Sequence, residues 1–403
     1  MKHLFITAAA LALCTGAYAQ GNNTGMGGSD GDVQSIAERV TKLEKKNDMF
    51  NLYLNYSASY KIENDSRDGK WESAFANKQL RLEIAGNLTD KIFYRLRHRL
   101  NRENDAKSLD NFAKATDIMM VGYNFNDKLT LTGGKMCQVW GGYEYDENPM
   151  FIYQYSDFLD NTRCFNTGVA LSYKPVPTHE FALGVSDADN EKIEDEFGSA
   201  ATVYTGAKDE APVGIGKPNH QLTYILNWNG SMFDGILTTR WAWGMQTQGH
   251  KKYSRLLTLG QRLNLKKLQW YFDYMGAYED VDRLGIATAE LAGAFEGITP
   301  TRLGKIHYDS FITKMNWQFA PSWNLMLKGT YETASLAKSE TYKNYRKSFG
   351  YMGSLEYYPA KKQDFRVFLA YVGRKYDYSD KSKLTDYNTN RIELGFMYRI
   401  KAF

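Results

Sequence analysis

The sequence lacks the features that mark helical membrane proteins and most enzymes. After the first 19 residues it has no uninterrupted run of about 18 apolar residues, the length that a transmembrane helix needs. It contains no H-E-x-x-H motif, no paired C-x-x-C motifs and no phosphate-binding loop. We therefore predict no helical span, no cofactor, no metal site and no catalysis.

Proline, cysteine and net charge are also scarce. The 403 residues include 8 Pro and 3 Cys, and 50 Lys and Arg against 46 Asp and Glu leave a net charge of +4. A balance this mild gives no reason to expect nucleic-acid binding. Aromatic residues and glycine are abundant, with 29 Tyr, 21 Phe and 34 Gly. A chain this aromatic, with a mean hydropathy of −0.52, can place its apolar residues at every second position of many strands.

The N-terminus has the three parts of a secretory signal peptide. Lys2 and His3 precede an apolar run at residues 4–13, and a small-residue cleavage site, Ala-Tyr-Ala, follows at 17–19. This pattern predicts a signal peptide over residues 1–19, with cleavage before Gln20. The apolar run is too short for a membrane span.

Two short segments follow the signal peptide. Residues 20–31 are rich in Gly, Asn and Ser, which is typical of a flexible linker. Residues 32–48 predict a short helix, because apolar residues recur there at steps of three and four. A coiled-coil segment that assists trimer formation and an amphipathic helix folded into a barrel mouth both fit this pattern.

From residue 49 to residue 403 the period of the apolar residues is two. In one segment Ile92, Tyr94, Leu96 and Leu100 alternate with Arg95, Arg97 and Arg99. In the last segment Ile392, Leu394, Phe396, Tyr398 and Ile400 alternate with Arg391, Glu393 and Arg399. This alternation predicts strands with one apolar and one polar face.

The predicted connections alternate between short and long. Seven short turns lie near residues 87–90, 124–127, 174–178, 229–235, 264–267, 320–322 and 359–362. Eight long loops lie near residues 62–72, 102–113, 138–163, 187–218, 246–252, 280–305, 334–345 and 376–388. Short turns at one end and long loops at the other are typical of an outer-membrane barrel. We predict an all-β fold, a 16-stranded antiparallel transmembrane β-barrel.

The signal peptide, the heptad segment, sixteen strands and the terminal Phe403 resemble the phosphate-selective porin O and P family. The resemblance covers the mature chain. It implies a trimeric, anion-preferring pore in the outer membrane of a Gram-negative bacterium, with a third loop that constricts a basic lumen. The expected partners are outer-membrane lipid and small anionic or polar solutes.

The polar faces of the predicted strands supply candidate pore-lining bases. These are Arg81, Arg95, Arg97, Arg99, Arg240, Arg262, Lys314, Lys328 and Arg366. Arg95, Arg97 and Arg99 form a ladder with a spacing of roughly 6.6 Å. Like charges in a ladder repel one another, so the three arginines need carboxylates or a passing anion nearby.

The third loop supplies candidate acids for the constriction, Glu144, Asp146, Glu147 and Asp157. If the loop folds inward, its acids face basic wall residues and create a transverse field, which is the alternative of a general, non-specific porin. A non-conducting adhesive barrel is a further alternative. Cys137 and Cys164 stand at the two ends of the loop, where either a disulfide or two free thiols fit an oxidising compartment.

Overall fold

The computed structural model describes residues 49–105, 110–188, 198, 200–208, 210–217, 220–360 and 363–402. The predicted signal peptide, linker and helix at residues 1–48, and the terminal Phe403, lie outside the described residues.

Within the described residues, sixteen antiparallel strands form a closed barrel, as predicted. Each strand pairs with its neighbours in the chain, and the first strand closes on the last with Tyr53 opposite Lys401. Every barrel strand is thereby paired on both sides over part of its length, which is the arrangement that a lipid environment requires. The barrel strands are β1 (Asn51–Asp65), β2 (Trp71–Asn87), β3 (Ile92–Arg99), β4 (Thr116–Asn124), β5 (Leu129–Cys137), β6 (Phe165–Val176), β7 (His179–Asp187), β10 (Leu222–Met232), β11 (Leu237–Gly249), β12 (Lys252–Leu265), β13 (Leu268–Glu279), β15 (Ile306–Ala320), β16 (Trp323–Leu336), β17 (Arg346–Tyr357), β18 (Asp364–Tyr378) and β19 (Tyr387–Lys401).

The two-residue period separates an inner face from an outer face. In β17 the side chains of Arg346, Ser348 and Glu356 are buried inside the barrel, whereas Phe349 and Tyr351 are exposed on the outer surface. Because successive side chains of a strand point to opposite faces, one apolar set covers the lipid side of every strand. No helix of the described residues is long and apolar enough to cross a membrane.

The seven predicted short turns are all present, but two predicted long loops are much shorter than expected. Only residues 250 and 251 join β11 to β12, so the predicted loop at 246–252 is wrong. Only residues 66–70 join β1 to β2, in place of the predicted 62–72. Strands can continue beyond the membrane into water, where charged residues are tolerated, so a polar stretch does not by itself end a strand.

Two long connections fold back into the barrel and fill part of its interior. Residues 138–164, here called the inner loop, join β5 to β6, and residues 280–305 join β13 to β15. Trp140 and Phe158 of the inner loop and Leu291 of the second connection belong to one buried apolar cluster with wall residues such as Tyr271 and Ile312. A separate three-stranded sheet joins the connection between β7 and β10 to the connection between β13 and β15. It is formed by β8 (Thr202–Tyr204), β9 (Val213–Gly214) and β14 (Arg302–Leu303).

The lipid-facing band gives a prediction about stability. Leu226 lies in the middle of β10 and is 57 % exposed, and Leu88 lies in the turn after β2 and is 52 % exposed. We expect Leu226→Arg to destabilise the barrel by about 2–4 kcal/mol, since it places a cation in the hydrocarbon centre, and Leu88→Arg by about 0–1 kcal/mol. Urea unfolding in lipid vesicles measures both values. Equal costs for the two variants would contradict the assigned membrane band.

Candidate functional site

The inner loop enters the barrel through two glycines in the left-handed region. Gly141 and Gly142 have φ values of 70° and 78°. A Cβ atom on Gly142 would lie 2.8 Å from Cε of Met275, which a flexible side chain can relieve, so the left-handed φ is the stronger reason for glycine here. The loop then forms two short helices, α1 (Tyr143–Asp146) and α2 (Asp157–Asp160).

Each of the four predicted acids of the inner loop forms an ion pair with a basic residue of the wall. The pairs are Glu144 with Lys328, Asp146 with Arg240, Glu147 with Lys314 and Asp157 with Arg346. Asp157 also contacts Arg374, at 2.6 Å from Nη1 to Oδ1. Burial by itself would raise the pKa of the Asp157 carboxyl, but these two guanidiniums outweigh burial and hold that pKa below its ordinary value.

Wall carboxylates bind the beginnings of both short helices. Asp273 accepts hydrogen bonds from the backbone N–H groups of Tyr143 and Glu144, at 2.8 and 2.7 Å. Glu332 accepts from the N–H groups of Asp157 and Phe158, at 2.8 and 2.9 Å. The first N–H groups of a helix have no partner within the helix, so these two acids satisfy donors that would otherwise be buried unpaired.

A row of wall cations binds the backbone carbonyls between α1 and α2. Six wall cations donate to five consecutive or near-consecutive carbonyls of residues 150–155. The donor–acceptor pairs are Arg366 to Met150, Lys314 to Phe151, Lys78 and Arg391 to Tyr153, Lys328 to Gln154 and Arg374 to Tyr155. The basic residues of β15 to β19 are therefore largely occupied in holding the inner loop.

The wall formed by β2 to β4 carries an arginine cluster, defined as Arg81, Arg97 and Arg99 around Asp117. The distances to the Asp117 carboxylate are 3.2 Å from Nη1 of Arg81, 3.3 Å from Nε of Arg97 and 2.8 Å from Nε of Arg99. One carboxylate therefore serves three guanidiniums, and the cluster keeps an excess of positive charge.

A second group with the same imbalance lies beside the arginine cluster. Glu83 contacts Arg95 at 2.5 Å and Arg399 at 3.3 Å. The predicted ladder is therefore divided between two carboxylates of the wall, with Arg95 on Glu83 and with Arg97 and Arg99 on Asp117. Arg95 and Arg99 are the more exposed members, at 12 % and 18 %.

Asp117 was not among the residues predicted from the sequence. It has the same parity as Met119 and Val121, which are exposed on the outer surface. The pairing of β3 with β4 shifts at this point, from Arg97 opposite Ile118 to His98 opposite Thr116, and skips Asp117. A bulge of this kind re-aims a side chain, and here it places a carboxylate inside the barrel that simple alternation assigns to the lipid face.

The remaining predicted bases also lie inside the barrel. Arg262 is buried, with its guanidinium carbon 4.5 Å from the ring centre of Tyr143. Arg366 is 3.1 Å from Glu356. Among the described residues, no group of three or more His, Cys, Asp or Glu side chains is arranged to hold a metal ion.

Cys137 and Cys164 are both free thiols, so the structure contains no bridge between them. The loop ends are instead joined by a backbone hydrogen bond of 3.0 Å from the N–H of Gln138 to the carbonyl of Cys164. Burial raises the pKa of the Cys164 thiol to about 11. A thiol that stays protonated at neutral pH reacts slowly.

Comparisons with known proteins identify relatives of the chain. The family model described as phosphate-selective porin O and P matches residues 50–400. A search of curated protein sequences finds no match.

Solved outer-membrane structures have the same fold. The channel DcaP of Acinetobacter baumannii gives a TM-score of 0.58 at 11% identity, over 87% of this chain and 96% of that one. OmpT of Vibrio cholerae gives 0.55 at 12% identity, over 89% and 100%. An anion-selective porin from Comamonas acidovorans gives 0.53 at 9% identity, over 87% and 99%.

The buried ion pairs give a prediction about the inner loop. Lys314→Met leaves Glu147 buried without its cation, and breaking one partner of a buried pair typically costs about 3–5 kcal/mol. We expect a lower unfolding midpoint and faster proteolysis within residues 138–164. Lys375→Met is the matched control, because its pair with Asp377 at 2.9 Å is on the surface. Equal behaviour of both variants would show that the loop does not depend on this pair.

Proposed function

Because this chain belongs to the phosphate-selective porin O and P family and is an outer-membrane porin of a Gram-negative bacterium, we propose that it carries small anions, phosphate among them, by passive diffusion. The observation that supports this selectivity is the excess of guanidiniums on the wall formed by β2, β3, β4 and β19. Five arginines there share the carboxylates of Asp117 and Glu83.

An anion in this region would neutralise the positive charge of the arginines that Asp117 and Glu83 do not offset. Nε of Arg81 and Nε of Arg399 are buried without a hydrogen-bond partner among the described residues. Charged donors in a low-dielectric interior interact strongly with an oxyanion, and guanidiniums bind phosphate through paired N–H groups. A chloride ion gains the same electrostatic attraction without the paired hydrogen bonds, so phosphate is expected to compete with it.

The alternative of a general porin with a transverse field is less well supported. Such a field needs loop acids that face wall bases across open space. Here Glu144, Glu147 and Asp157 are buried in direct contact with wall bases. Their charges are neutralised locally, whereas the arginines around Asp117 and Glu83 outnumber their carboxylates among the described residues.

Reversal potential in a planar bilayer under a KCl gradient tests the proposed selectivity. We expect the wild-type protein to prefer chloride, Arg95→Gln/Arg99→Gln to lose most of this preference, and Asp117→Asn to increase it, because the acid that offsets three arginines is removed. Phosphate added to the wild-type channel should reduce the chloride current.

Lys375→Gln, which removes a surface cation, is the control and should leave the potential unchanged. A cation-preferring channel, or opposite changes in the two lumen variants, would overturn the anion proposal. Folded protein without conductance would favour the adhesive barrel.

We further propose that the porin is a homotrimer. OmpT of Vibrio cholerae has been solved in a trimer form. In this chain, β2 pairs with β1 from Trp71 onward, but with β3 only from Arg81 onward. The first ten residues of β2, 71–80, thus have no strand partner on the β3 side among the described residues. Phe75 lies in this stretch, and its side chain is 88 % exposed. Exposed edges and aromatic side chains are typical of sites that a second chain covers.

The variant Phe75→Glu tests this assembly. We expect wild-type protein in mild detergent to have three times the monomer mass by analytical ultracentrifugation, and Phe75→Glu to shift towards the monomer. Val213→Glu, at an exposed apolar position on β9, is the matched control and should remain trimeric. A monomeric wild-type protein would contradict the proposed trimer.

A further inference from the structure

A polar cavity of about 410 Å³ lies at the long-loop end of the barrel. It is here called the vestibule, and it is bounded on one side by the β1–β2 hairpin and on the other by β18 and β19. Gln154 of the inner loop also lines it. The arginine cluster does not contribute to its lining, so the vestibule is a separate feature.

The two sides of the vestibule carry opposite charge. The hairpin side contributes four carboxylates and two cations, and the β18–β19 side contributes two arginines and no carboxylate. The hairpin residues are Glu63, Asp65, Asp68, Glu72, Arg67 and Lys70, and the arginines are Arg374 and Arg391. The vestibule as a whole is neutral, with its negative and positive excess on different elements.

One of the two arginines keeps positive charge although it also holds the inner loop. Arg391 shares the Glu393 carboxylate with Lys78. Arg374 contacts both Asp157, at 2.6 Å, and Asp160, at 3.3 Å, so loop acids match its charge. With two cations on Glu393, this side of the vestibule retains an excess at Arg391 that a ligand carboxylate can satisfy.

Aromatic rings lie between the two charged sides. Tyr376 and Tyr387 are stacked with ring centres 4.4 Å apart. The guanidinium carbon of Arg67 lies 4.0 Å from the centre of the Tyr387 ring, and its Nε is 3.0 Å from Oδ1 of Asp65. An exposed cation of the protein thus already occupies a position between an aromatic face and a carboxylate, which shows that this corner suits positively charged groups.

We propose that the vestibule binds zwitterionic solutes, that is, free amino acids and short peptides. The ligand ammonium would approach Glu72 and Glu63 on the hairpin, of which Glu63 also pairs with Lys61, and its carboxylate would approach Arg391. A simple anion meets repulsion from the four carboxylates, and a neutral sugar leaves both sets of charges desolvated without compensation. A zwitterion matches both sides at once, and 410 Å³ lies within the range of small-molecule sites.

Three compounds with the same phenyl ring test this inference: phenylalanine, hydrocinnamate without the ammonium, and phenethylamine without the carboxylate. Each is added on the long-loop side of a single channel, and the fall in KCl current is measured against concentration. We expect phenylalanine to block at a concentration about ten-fold lower than either analogue, which is the effect of one additional charge-assisted contact.

In the double variant Glu63→Gln/Glu72→Gln, we expect phenylalanine to block the current only as potently as hydrocinnamate does. Glu340→Gln is the control, because it removes an exposed carboxylate outside the vestibule. Phenylalanine should block this variant at the same concentration as the wild-type channel. Equal potency of phenylalanine and hydrocinnamate in the wild-type channel would overturn the inference in favour of a simple anion site.

The inference does not depend on the proposed anion selectivity. A chloride-preferring channel that phenylalanine does not block would overturn the inference and leave the proposed function in place. A cation-preferring channel with zwitterion-specific block would do the reverse.

Discussion

Charge buried inside the barrel must be neutralised, and this constraint determines most of what the lumen looks like. An isolated ion removed from water costs several kcal/mol even after the protein relaxes. The inner loop meets this requirement by bringing its four predicted acids to four wall bases and its carbonyls to six wall cations. The position of the inner loop and the charge of the wall therefore depend on each other, because these wall bases reach the loop acids only when the loop lies against them.

The same constraint separates the lumen into two kinds of wall. On β15 to β17, basic residues are matched by acids and carbonyls of the loops, so they have little free charge to offer a solute. On β2 to β4, three arginines share the carboxylate of Asp117. A lumen need not be basic throughout to favour anions, because selectivity can arise from a wall where the charge balance is incomplete.

The strands, the turns and the inward direction of the basic residues could be predicted because they follow from a two-residue period. The strand ends near residues 62–72 and 246–252 could not, since polarity marks the edge of the membrane and not the end of hydrogen bonding. Asp117 could not be placed because a bulge reverses its direction, and a bulge leaves no trace in the alternation of β4 itself. The pairing of each loop acid with a particular lysine or arginine depends on the path of 27 loop residues through the lumen, which no local pattern specifies.

The partners of the inner loop also have a consequence for assembly of the barrel. Asp157 and Arg346 are 189 residues apart in the chain, and the closing pair Tyr53 and Lys401 lies near its two ends. Contacts of such long range form late and slowly, because the chain between them must be ordered first. The inner loop is made early, but many of its partners lie on β15 to β19, so the interior of this barrel can be completed only when the wall is nearly closed.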